Sequence, residues 1–312
     1  MTYIGRLAPS PTGAQHVGNA RTYLITWLAA RTRSGSLNLR IEDIDSPRIK
    51  PWATQQIYDD FRWLNLDWDG QPLQQTERLP LYQQALTELQ GKELVYPCTC
   101  SRKDVESAAS APHAENEGLI YPGTCSHRSV RDANGLSSPY CWRFRLGKET
   151  YSYEDGFVGT VTRNRQQIGG DFVVWKADDT PSYQLSVVVD DVDGGITEVI
   201  RGDDLIPSTP RQLALYQALG WKLPRFVHVP LVIGTDGKRL AKRHGDTRLD
   251  SLRTQGVSSE RLLGLLAWSC GWLSSIKAIT VRELLPMFRW DSIPKEPFVL
   301  TTELLKEIGY AL

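Results

Sequence analysis

Two short segments, far apart in the chain, carry residue types that bind phosphate groups. Residues 6–19, RLAPSPTGAQHVGN, place His16 and Gly18 after a turn rich in proline and glycine. Residues 234–245, GTDGKRLAKRHG, hold a dense set of basic side chains between glycines: Lys238, Arg239, Lys242, Arg243 and His244. Such a segment repels itself unless an anion lies among its charges. Taken alone, the first segment could be an ordinary turn with a surface histidine, and the second a solvated face or a nonspecific nucleic-acid contact.

The elements around the first segment predict how it is held. Residues 3–7 are predicted to form a short apolar strand. Apolar side chains then recur at the spacing of an amphipathic helix, at Ala20, Tyr23, Leu24, Trp27 and Leu28. A strand, a turn and a helix in this order bring unpaired backbone N–H groups and the positive end of a helix dipole to one place. We therefore expect an anion site at the helix start, where His16 donates to phosphate oxygens and Gly18 lets a ligand approach the backbone.

A second strand, predicted over residues 36–45, ends in three carboxylates. These are Glu42, Asp43 and Asp45. Because ligands of parallel sheets bind beyond the carboxyl ends of the strands, we expect the three to lie beside the His16 turn. For Asp43 and Asp45, a solvated loop that caps the next helix is an equally good interpretation.

Together the two segments resemble the nucleotide-binding motifs of class I aminoacyl-tRNA synthetases, in the form used by the glutamyl-tRNA synthetases. Residues 239–243, RLAKR, are similar to the K-M-S-K-R loop of that class, with Ala241 in place of the common serine. Asn19 likewise replaces the common histidine at the end of the first motif. The resemblance implies an α/β fold with a Rossmann-type parallel-sheet nucleotide-binding domain. It also implies catalytic roles for His16 and Lys242, and an ATP site with Mg²⁺ formed by His16, Gly18, Asn19 and Lys242.

The same resemblance implies a pocket for L-glutamate. Glu42, within a match to the family's R-x-E-D motif, would hold the ammonium group, and Arg201, within a match to R-G-x-D, would recognise the side-chain carboxylate. Tyr183, in the segment PSYQL, would line the pocket. From the residues alone, Arg201 could equally be a surface arginine and Tyr183 a packing residue in a strand. The full set implied by the resemblance is Arg6, Leu7, Ala8, Pro9, Ser10, Glu42, Tyr183 and Arg201.

Three cysteines predict a metal site. Cys98 and Cys100 stand one residue apart, and Cys125 follows later in the chain. Closely packed thiolates are natural ligands for tetrahedral zinc, although three structural thiols would give the same pattern. General chemistry favours His127 as the fourth ligand, because imidazole binds zinc far more often than phenolate. The segment is similar to that of the glutamyl-Q tRNA(Asp) synthetases, a branch of the family, and this implies Tyr121 instead. We expect one structural Zn²⁺ per chain.

The rest of the chain predicts a division into four parts. The pattern favours a strand-rich region over 140–193, a strand over 196–201, a helix over 208–219, a strand over 227–233 and a helical tail over 258–312. Cys141 and Cys270 are expected in the core, far from the metal site. The expected parts are the first half of the Rossmann domain at 1–92, a zinc-containing α+β insert that binds the tRNA acceptor end at 93–190, the second half at 191–247, and a helical stem-contact module at 248–312.

Composition limits the functional classes. Lysine plus arginine equals aspartate plus glutamate at 36 each, so the formal net charge is zero and any basic surface for a nucleic acid must be local. No apolar run approaches the ~20 residues that span a bilayer, and the N-terminus lacks a secretory signal. We expect a cytoplasmic protein, and a monomer.

The acceptor of the activated amino acid is inferred from the resemblance. A tRNA partner is implied because the insert lies where the family binds the acceptor end. The chain ends where conventional glutamyl-tRNA synthetases continue into an anticodon-binding region, and its overall pattern is similar to that of the glutamyl-Q tRNA(Asp) synthetases. We therefore expect activation of glutamate without tRNA and transfer to the queuosine base of tRNA(Asp). Two alternatives stay open: a truncated conventional synthetase that charges the 3′ end of tRNA(Glu), and a non-catalytic tRNA-binding relic of the fold.

Overall fold

The computed structural model describes residues 2–44, 49–101, 103–105, 120–238, 240 and 246–310. Two residues with predicted roles, Asp45 and Lys242, lie outside the described residues, as do Arg239, Arg243 and His244.

A parallel sheet forms the first part of the molecule. Its elements are β1 (Ile4–Leu7), α1 (Val17–Arg31), β2 (Ser36–Ile41), α2 (Pro51–Trp63), β3 (Leu73–Gln74) and α3 (Leu79–Gly91). Strand β2 pairs in parallel with both β1 and β3. The predicted second strand thus exists but ends at Ile41. The chain leaves the ladder there because the N–H of Glu42 donates to the carbonyl of Pro9, at 3.0 Å.

The middle of the chain is largely antiparallel. Its elements are β4 (Val95–Cys98), β5 (Cys141–Phe144), β6 (Thr150–Asp155), β7 (Gly159–Asn164), α4 (Arg165–Ile168) and β8 (Phe172–Trp175). Strand β5 lies between β4 and β8, while β6 and β7 form a hairpin. The prediction of a strand-rich region is confirmed up to Trp175.

The end of that region was predicted wrongly, because residues 183–193 are a helix. Helix α5 (Tyr183–Asp193) follows Pro181 and Ser182 and packs against α3. The run Val187–Val189 has the β-branched composition of a strand. Packing nevertheless favours the helix. The helix buries those valines, and it also buries Asp190 and Asp191, which form ion pairs with Arg78 and Arg40. Tertiary contacts outweigh local propensity here.

A second parallel pair continues beside β1. Its elements are β9 (Glu198–Gly202), α6 (Thr209–Leu219), β10 (Arg225–Val229) and β11 (Val232–Ile233). Strand β9 pairs with β10, and the N–H of Thr197 donates to the carbonyl of Ile4 at 2.8 Å, which joins this pair to β1. Pro210 stands in the first turn of α6, as predicted. The predicted strand over 227–233 is split at Pro230, which has no N–H for a ladder.

The tail is helical, as predicted, with one addition. Its elements are α7 (Leu249–Thr254), α8 (Ser259–Ser269), α9 (Val281–Leu284), β12 (Phe298–Val299) and α10 (Thr302–Glu307). Strand β12 pairs in parallel with β11. Apolar residues of α8, including Leu262 and Leu266, share one core with α1. Within the part of the chain that is described, no helix has the length and apolarity needed to cross a membrane.

Candidate active site

A cleft of about 590 Å³ lies where the carboxyl ends of β1 and β9 meet the start of α1. Nine of the predicted site residues line it: Arg6, Ala8, Ser10, His16, Gly18, Asn19, Glu42, Tyr183 and Arg201. Leu7 and Pro9 do not. The side chain of Leu7 is buried in the core, and Pro9 is buried with its carbonyl bonded to Glu42. Lys242 lies outside the described residues. Leu240, which belongs to the same basic segment, lines the cleft.

His16 caps helix α1 with its own ring. Its Nδ1 accepts hydrogen bonds from the backbone N–H groups of Gly18, at 3.1 Å, and Asn19, at 3.3 Å. The Asn19 side chain accepts in return from the backbone N–H of His16, at 3.1 Å. Since Nδ1 accepts, the proton of the neutral ring is on Nε2. His16 can therefore donate from Nε2 only.

The expectation of unpaired N–H groups at this helix start is wrong. The ring of His16 occupies two of them, and the N–H of Val17 donates to the carbonyl of Thr247 at 3.0 Å. The start of α1 thereby binds the segment that follows the basic loop. Any phosphate contact here must come from side chains rather than from these backbone groups.

Two buried arginines, Arg6 and Arg40, form ion pairs with carboxylates at one side of the cleft. Asp191 lies 2.6 Å from Nη1 of Arg40 and 3.6 Å from Nε of Arg6. Arg40 also donates to Glu42, at 3.0 Å. Burial raises the pKa of Glu42, and the neighbouring positive charge of Arg40 opposes that shift. A cation bound against Glu42 would favour its charged form further.

Asp43 takes a structural position. Its two carboxylate oxygens accept from the backbone N–H of Thr76, at 2.9 Å, and from the Thr76 hydroxyl, at 2.7 Å. The interpretation that Asp43 caps the helix near Trp52 is therefore wrong, because that helix has no side-chain cap and Asp43 holds the turn at Thr76 instead.

Arg201 presents one nitrogen that has no hydrogen-bond partner among the described residues. The side chain is only 4% exposed, and its Nε and Nη2 donate to His228 and Thr209, at 3.0 and 2.7 Å. Among the described residues Nη1 has no hydrogen-bond acceptor. A buried guanidinium donor without an acceptor is costly, so the cleft is built to receive an anionic or polar oxygen at this point. The alternative of a surface arginine is thus wrong.

Tyr183 is the first residue of α5 and is 38% exposed at the cleft. Its placement in a strand was wrong. The side chain lines the cleft, and its role in binding the amino acid stays a prediction. An exposed aromatic ring at the edge of a polar cleft can cover a bound ligand.

Four buried residues that support this cleft were missed in the sequence. Asp155 and His228 stand behind Arg201, and Arg40 and Asp191 stand behind Arg6 and Glu42. The sequence did offer one signal, the run VVVDD at residues 187–191. Acidic residues directly after three apolar ones are expected to be buried with them, and a buried carboxylate needs a positively charged partner.

The cysteine cluster has the geometry of a zinc site. The sulfur atoms of Cys98, Cys100 and Cys125 lie within 4.8 Å of one another, and those of Cys100 and Cys125 are 3.6 Å apart. Tetrahedral zinc with Zn–S bonds of about 2.3 Å sets its sulfurs roughly 3.8 Å apart. The Tyr121 hydroxyl lies 3.3 Å from the sulfur of Cys98 and 3.9 Å from that of Cys100, whereas His127 is exposed and outside the group. The residues present fit a zinc ion.

Cys141 lies next to this cluster, which corrects its predicted distant position. It is the cross-strand partner of Cys98 in the β4–β5 ladder. Hydrogen bonding with Cys141 is the main cause that lowers the pKa of Cys98 below its ordinary value. Cys270 is buried in the main core, as predicted.

Comparison with known proteins finds full-length relatives. A family model described as class I tRNA synthetases (E and Q), catalytic domain, matches residues 4–307. A glutamyl-Q tRNA(Asp) synthetase from Rhodopirellula baltica is 50% identical over 95% of this chain and 96% of its own. One from Symbiobacterium thermophilum is 45% identical over 98% of both chains.

Conventional synthetases also match, over a smaller share of their own length. A glutamate–tRNA ligase from Thermodesulfovibrio yellowstonii is 38% identical over 96% of this chain and 64% of its own. The solved structure of a glutamate tRNA ligase from Elizabethkingia meningosepticum superposes with a TM-score of 0.84 at 24% identity, over 99% of this chain and 69% of that one. At 24% identity, the similarity to this solved structure is evidence for a shared fold alone.

Proposed function

The chain belongs to the class I tRNA synthetases of the E and Q type, and from this membership we propose that it activates L-glutamate with ATP and transfers it to the queuosine base of tRNA(Asp). The observation that carries the first step is the free Nη1 of buried Arg201 in one cleft with Glu42 and His16. The identities of 50% and 45% to the glutamyl-Q tRNA(Asp) synthetases from Rhodopirellula baltica and Symbiobacterium thermophilum, against 38% to the ligase from Thermodesulfovibrio yellowstonii, support the acceptor.

The cleft offers opposite charges for the two ends of glutamate. Arg201 would bind the side-chain carboxylate through Nη1, and Glu42 would bind the ammonium group. Arg6, Ala8 and Ser10 line the wall between β1 and α1 and complete the pocket. Tyr183 would cover the bound amino acid from the start of α5.

Activation joins the α-carboxylate of glutamate to the α-phosphate of ATP. A carboxylate oxygen attacks phosphorus, and pyrophosphate leaves as the acyl-adenylate forms. The transition state concentrates negative charge, so the protein needs fixed donors more than a general base. The Nε2–H of His16 would donate to a phosphate oxygen, Lys242 would stabilise the departing pyrophosphate, and Mg²⁺ accompanies ATP to neutralise its charge. Gly18 and Asn19 would shape the nucleotide site.

Transfer is the second step. A hydroxyl group on the queuosine base attacks the acyl carbon of the adenylate, forming an ester and releasing AMP. A mixed anhydride of this kind is already activated, so positioning the hydroxyl beside it supplies much of the required rate.

Cys98, Cys100, Cys125 and Tyr121 would hold one structural zinc ion. A bound zinc would fix the end of β4 against residues 121–125. Thiolates gathered this closely in a mostly buried position would be stabilised by a bound cation.

Glutamate-dependent exchange between ATP and labelled pyrophosphate, without RNA, tests activation. Exchange that requires glutamate supports the proposal, whereas no exchange favours the non-catalytic relic. Acylation of purified, queuosine-containing tRNA(Asp) and of tRNA(Glu), with the ester position mapped, then tests the acceptor. A 3′ ester on tRNA(Glu) would identify a truncated conventional synthetase instead.

A further inference from the structure

A fully buried histidine lies directly behind the arginine of the cleft. His228 on β10 and Arg201 on β9 are register partners in the parallel ladder, so their side chains stand next to each other on one face. Nε2 of His228 is 3.0 Å from Nε of Arg201. A guanidinium N–H can only donate, so Nε2 accepts and the ring proton is on Nδ1.

The second ring nitrogen is held by a carboxylate. Nδ1 of His228 lies 2.6 Å from Oδ2 of Asp155, at the end of β6. The other oxygen of Asp155 accepts from the backbone N–H groups of Phe157, Val158 and His228, at 2.9, 3.1 and 3.2 Å. Burial would raise the pKa of Asp155, but the hydrogen bonds from His228 and these N–H groups hold it below its ordinary value. The carboxylate stays charged and fixes the ring.

This arrangement leaves Arg201 one orientation. Its Nε is bonded to His228, its Nη2 to Thr209, and its planar group lies 5.4 Å from the ring centre of Phe226. In the part of the chain that the structure describes, Nη1 is the one guanidinium nitrogen left to bind a ligand in the cleft. Asp155, His228 and Thr209 are not among the residues that line the cleft, so they reach a ligand only through Arg201.

We propose that Asp155 and His228 are positioning residues that orient Arg201, and that this orientation makes the site select a side-chain carboxylate over a carboxamide. The inference rests on the proposed binding of glutamate in this cleft. A fixed Nη1 offers only N–H donors, and either oxygen of a carboxylate can accept from them. The NH₂ of a carboxamide would face those donors with its own hydrogens, and a site built around one hydrogen-bond pattern rejects the other strongly. An arginine that could swing away from the ligand would no longer oppose the NH₂ of a carboxamide.

Two substitutions of the same histidine separate positioning from packing. In His228→Gln the side-chain oxygen can reach the place of Nε2 and still accept from Arg201. In His228→Asn the shorter amide reaches only the place of Nδ1, so Arg201 loses its acceptor. We expect His228→Asn to raise the KM for glutamate about 10-fold or more in pyrophosphate exchange, and to lower the ratio of kcat/KM for glutamate over glutamine. The kcat at saturating glutamate and the KM for ATP should change less than about 3-fold.

Asp155→Asn tests the other partner without removing a side chain. The amide NH₂ can donate to Nδ1, which moves the ring proton to Nε2, where it opposes the N–H of Arg201. We expect the same selective rise in the KM for glutamate, with a melting temperature that shows a folded protein. Val227→Ala, on the same strand but in the core, is the matched control. It should lower stability while leaving the KM for glutamate unchanged.

A failure of the positioning role can be told apart from a failure of the proposed function. Equal effects of His228→Asn and His228→Gln, or an unchanged KM for glutamate in His228→Asn and Asp155→Asn, would refute positioning. Calorimetric titration of glutamate into the wild type and the variants gives the same comparison without catalysis. Wild type that binds glutamate without exchange would refute activation alone, and wild type that binds no glutamate would refute both.

Discussion

The Nδ1 atom of His16 lies 3.1 Å from the backbone nitrogen of Gly18, so one side chain both caps helix α1 and lines the cleft. A cap at this position stabilises the helix start by about 1 kcal/mol. The bond also sets the tautomer, because it leaves the proton on Nε2. Loss of the ring would therefore affect stability and chemistry together, and the two effects need separate measurements.

Replacing His16 by asparagine should separate the cap from the phosphate contact. Asparagine is among the best N-cap residues, so His16→Asn should keep the melting temperature near that of the wild type. It lacks a donor at the place of Nε2, and we expect the rate of glutamate-dependent pyrophosphate exchange to fall by about 10²-fold.

His16→Ala serves as the comparison. It should lose the same activity and also about 1 kcal/mol of stability, seen in urea unfolding. Equal exchange rates for His16→Asn and the wild type would exclude a role for Nε2.

Local patterns predicted the elements that carry the cleft. The strand, turn and helix around His16 and the strand ends at Glu42 and Arg201 follow from apolar spacing, and the structure brings all three side chains to one cleft. The family resemblance supplied the roles. What local pattern failed to predict was long-range pairing.

Helix α5 shows why. Its valines favour a strand locally, but Asp190 and Asp191 must reach Arg78 and Arg40, more than a hundred positions away in sequence. Cys141 was placed far from Cys98 because their separation in sequence hides a strand ladder. The contact between His228 and Arg201 could not be predicted for the same reason, because the register of two parallel strands cannot be read from the sequence of one strand alone.

Tyr121→Phe should weaken zinc binding. The hydroxyl lies 3.3 Å from the Cys98 sulfur and 3.9 Å from the Cys100 sulfur. We expect one zinc per wild-type chain by plasma mass spectrometry. In Tyr121→Phe, competition with a chromogenic chelator should show an affinity at least about 10-fold lower.

His127→Ala is the matched control for the zinc ligand. His127 is exposed, and its removal should leave both zinc content and affinity as in the wild type. If His127→Ala lost zinc while Tyr121→Phe retained it, the ligand assignment would have to be reversed.

Lys242→Ala should slow adenylate formation without weakening glutamate binding. A cation that meets the pyrophosphate only in the transition state affects kcat rather than KM, and we expect kcat to fall by about 10²-fold or more. Lys238→Ala, in the same basic segment, should change kcat by less than about 3-fold if position and not total charge matters. Both constants come from pyrophosphate exchange at varied glutamate, and comparable losses in the two variants would contradict a specific role for Lys242.

A buried carboxylate between α2 and α7 should make stability depend on pH. Burial raises the pKa of Asp60 to about 7, and Arg253, 3.5 Å away, offsets this in part. Neither oxygen of Asp60 has a hydrogen bond among the described residues. Below pH 7 the folded chain keeps a proton that the unfolded chain, with its ordinary aspartate pKa near 4, has already released. The folded state therefore binds more protons between about pH 4 and 7, and its stability should fall as pH rises through that window.

Asp60→Asn should remove this dependence, because its amide stays neutral at every pH. At pH 8 we expect Asp60→Asn to be more stable than the wild type by about 1–2 kcal/mol, seen as a melting temperature higher by roughly 2–4 °C. At pH 5, where the wild-type carboxyl is already neutral, the difference should shrink towards zero. Asp59→Asn changes the neighbouring half-exposed carboxylate, which pairs with Arg62, and should shift stability by less than about 0.5 kcal/mol at either pH. A constant difference between Asp60→Asn and the wild type from pH 5 to 8 would show that the Asp60 carboxyl does not titrate in this range.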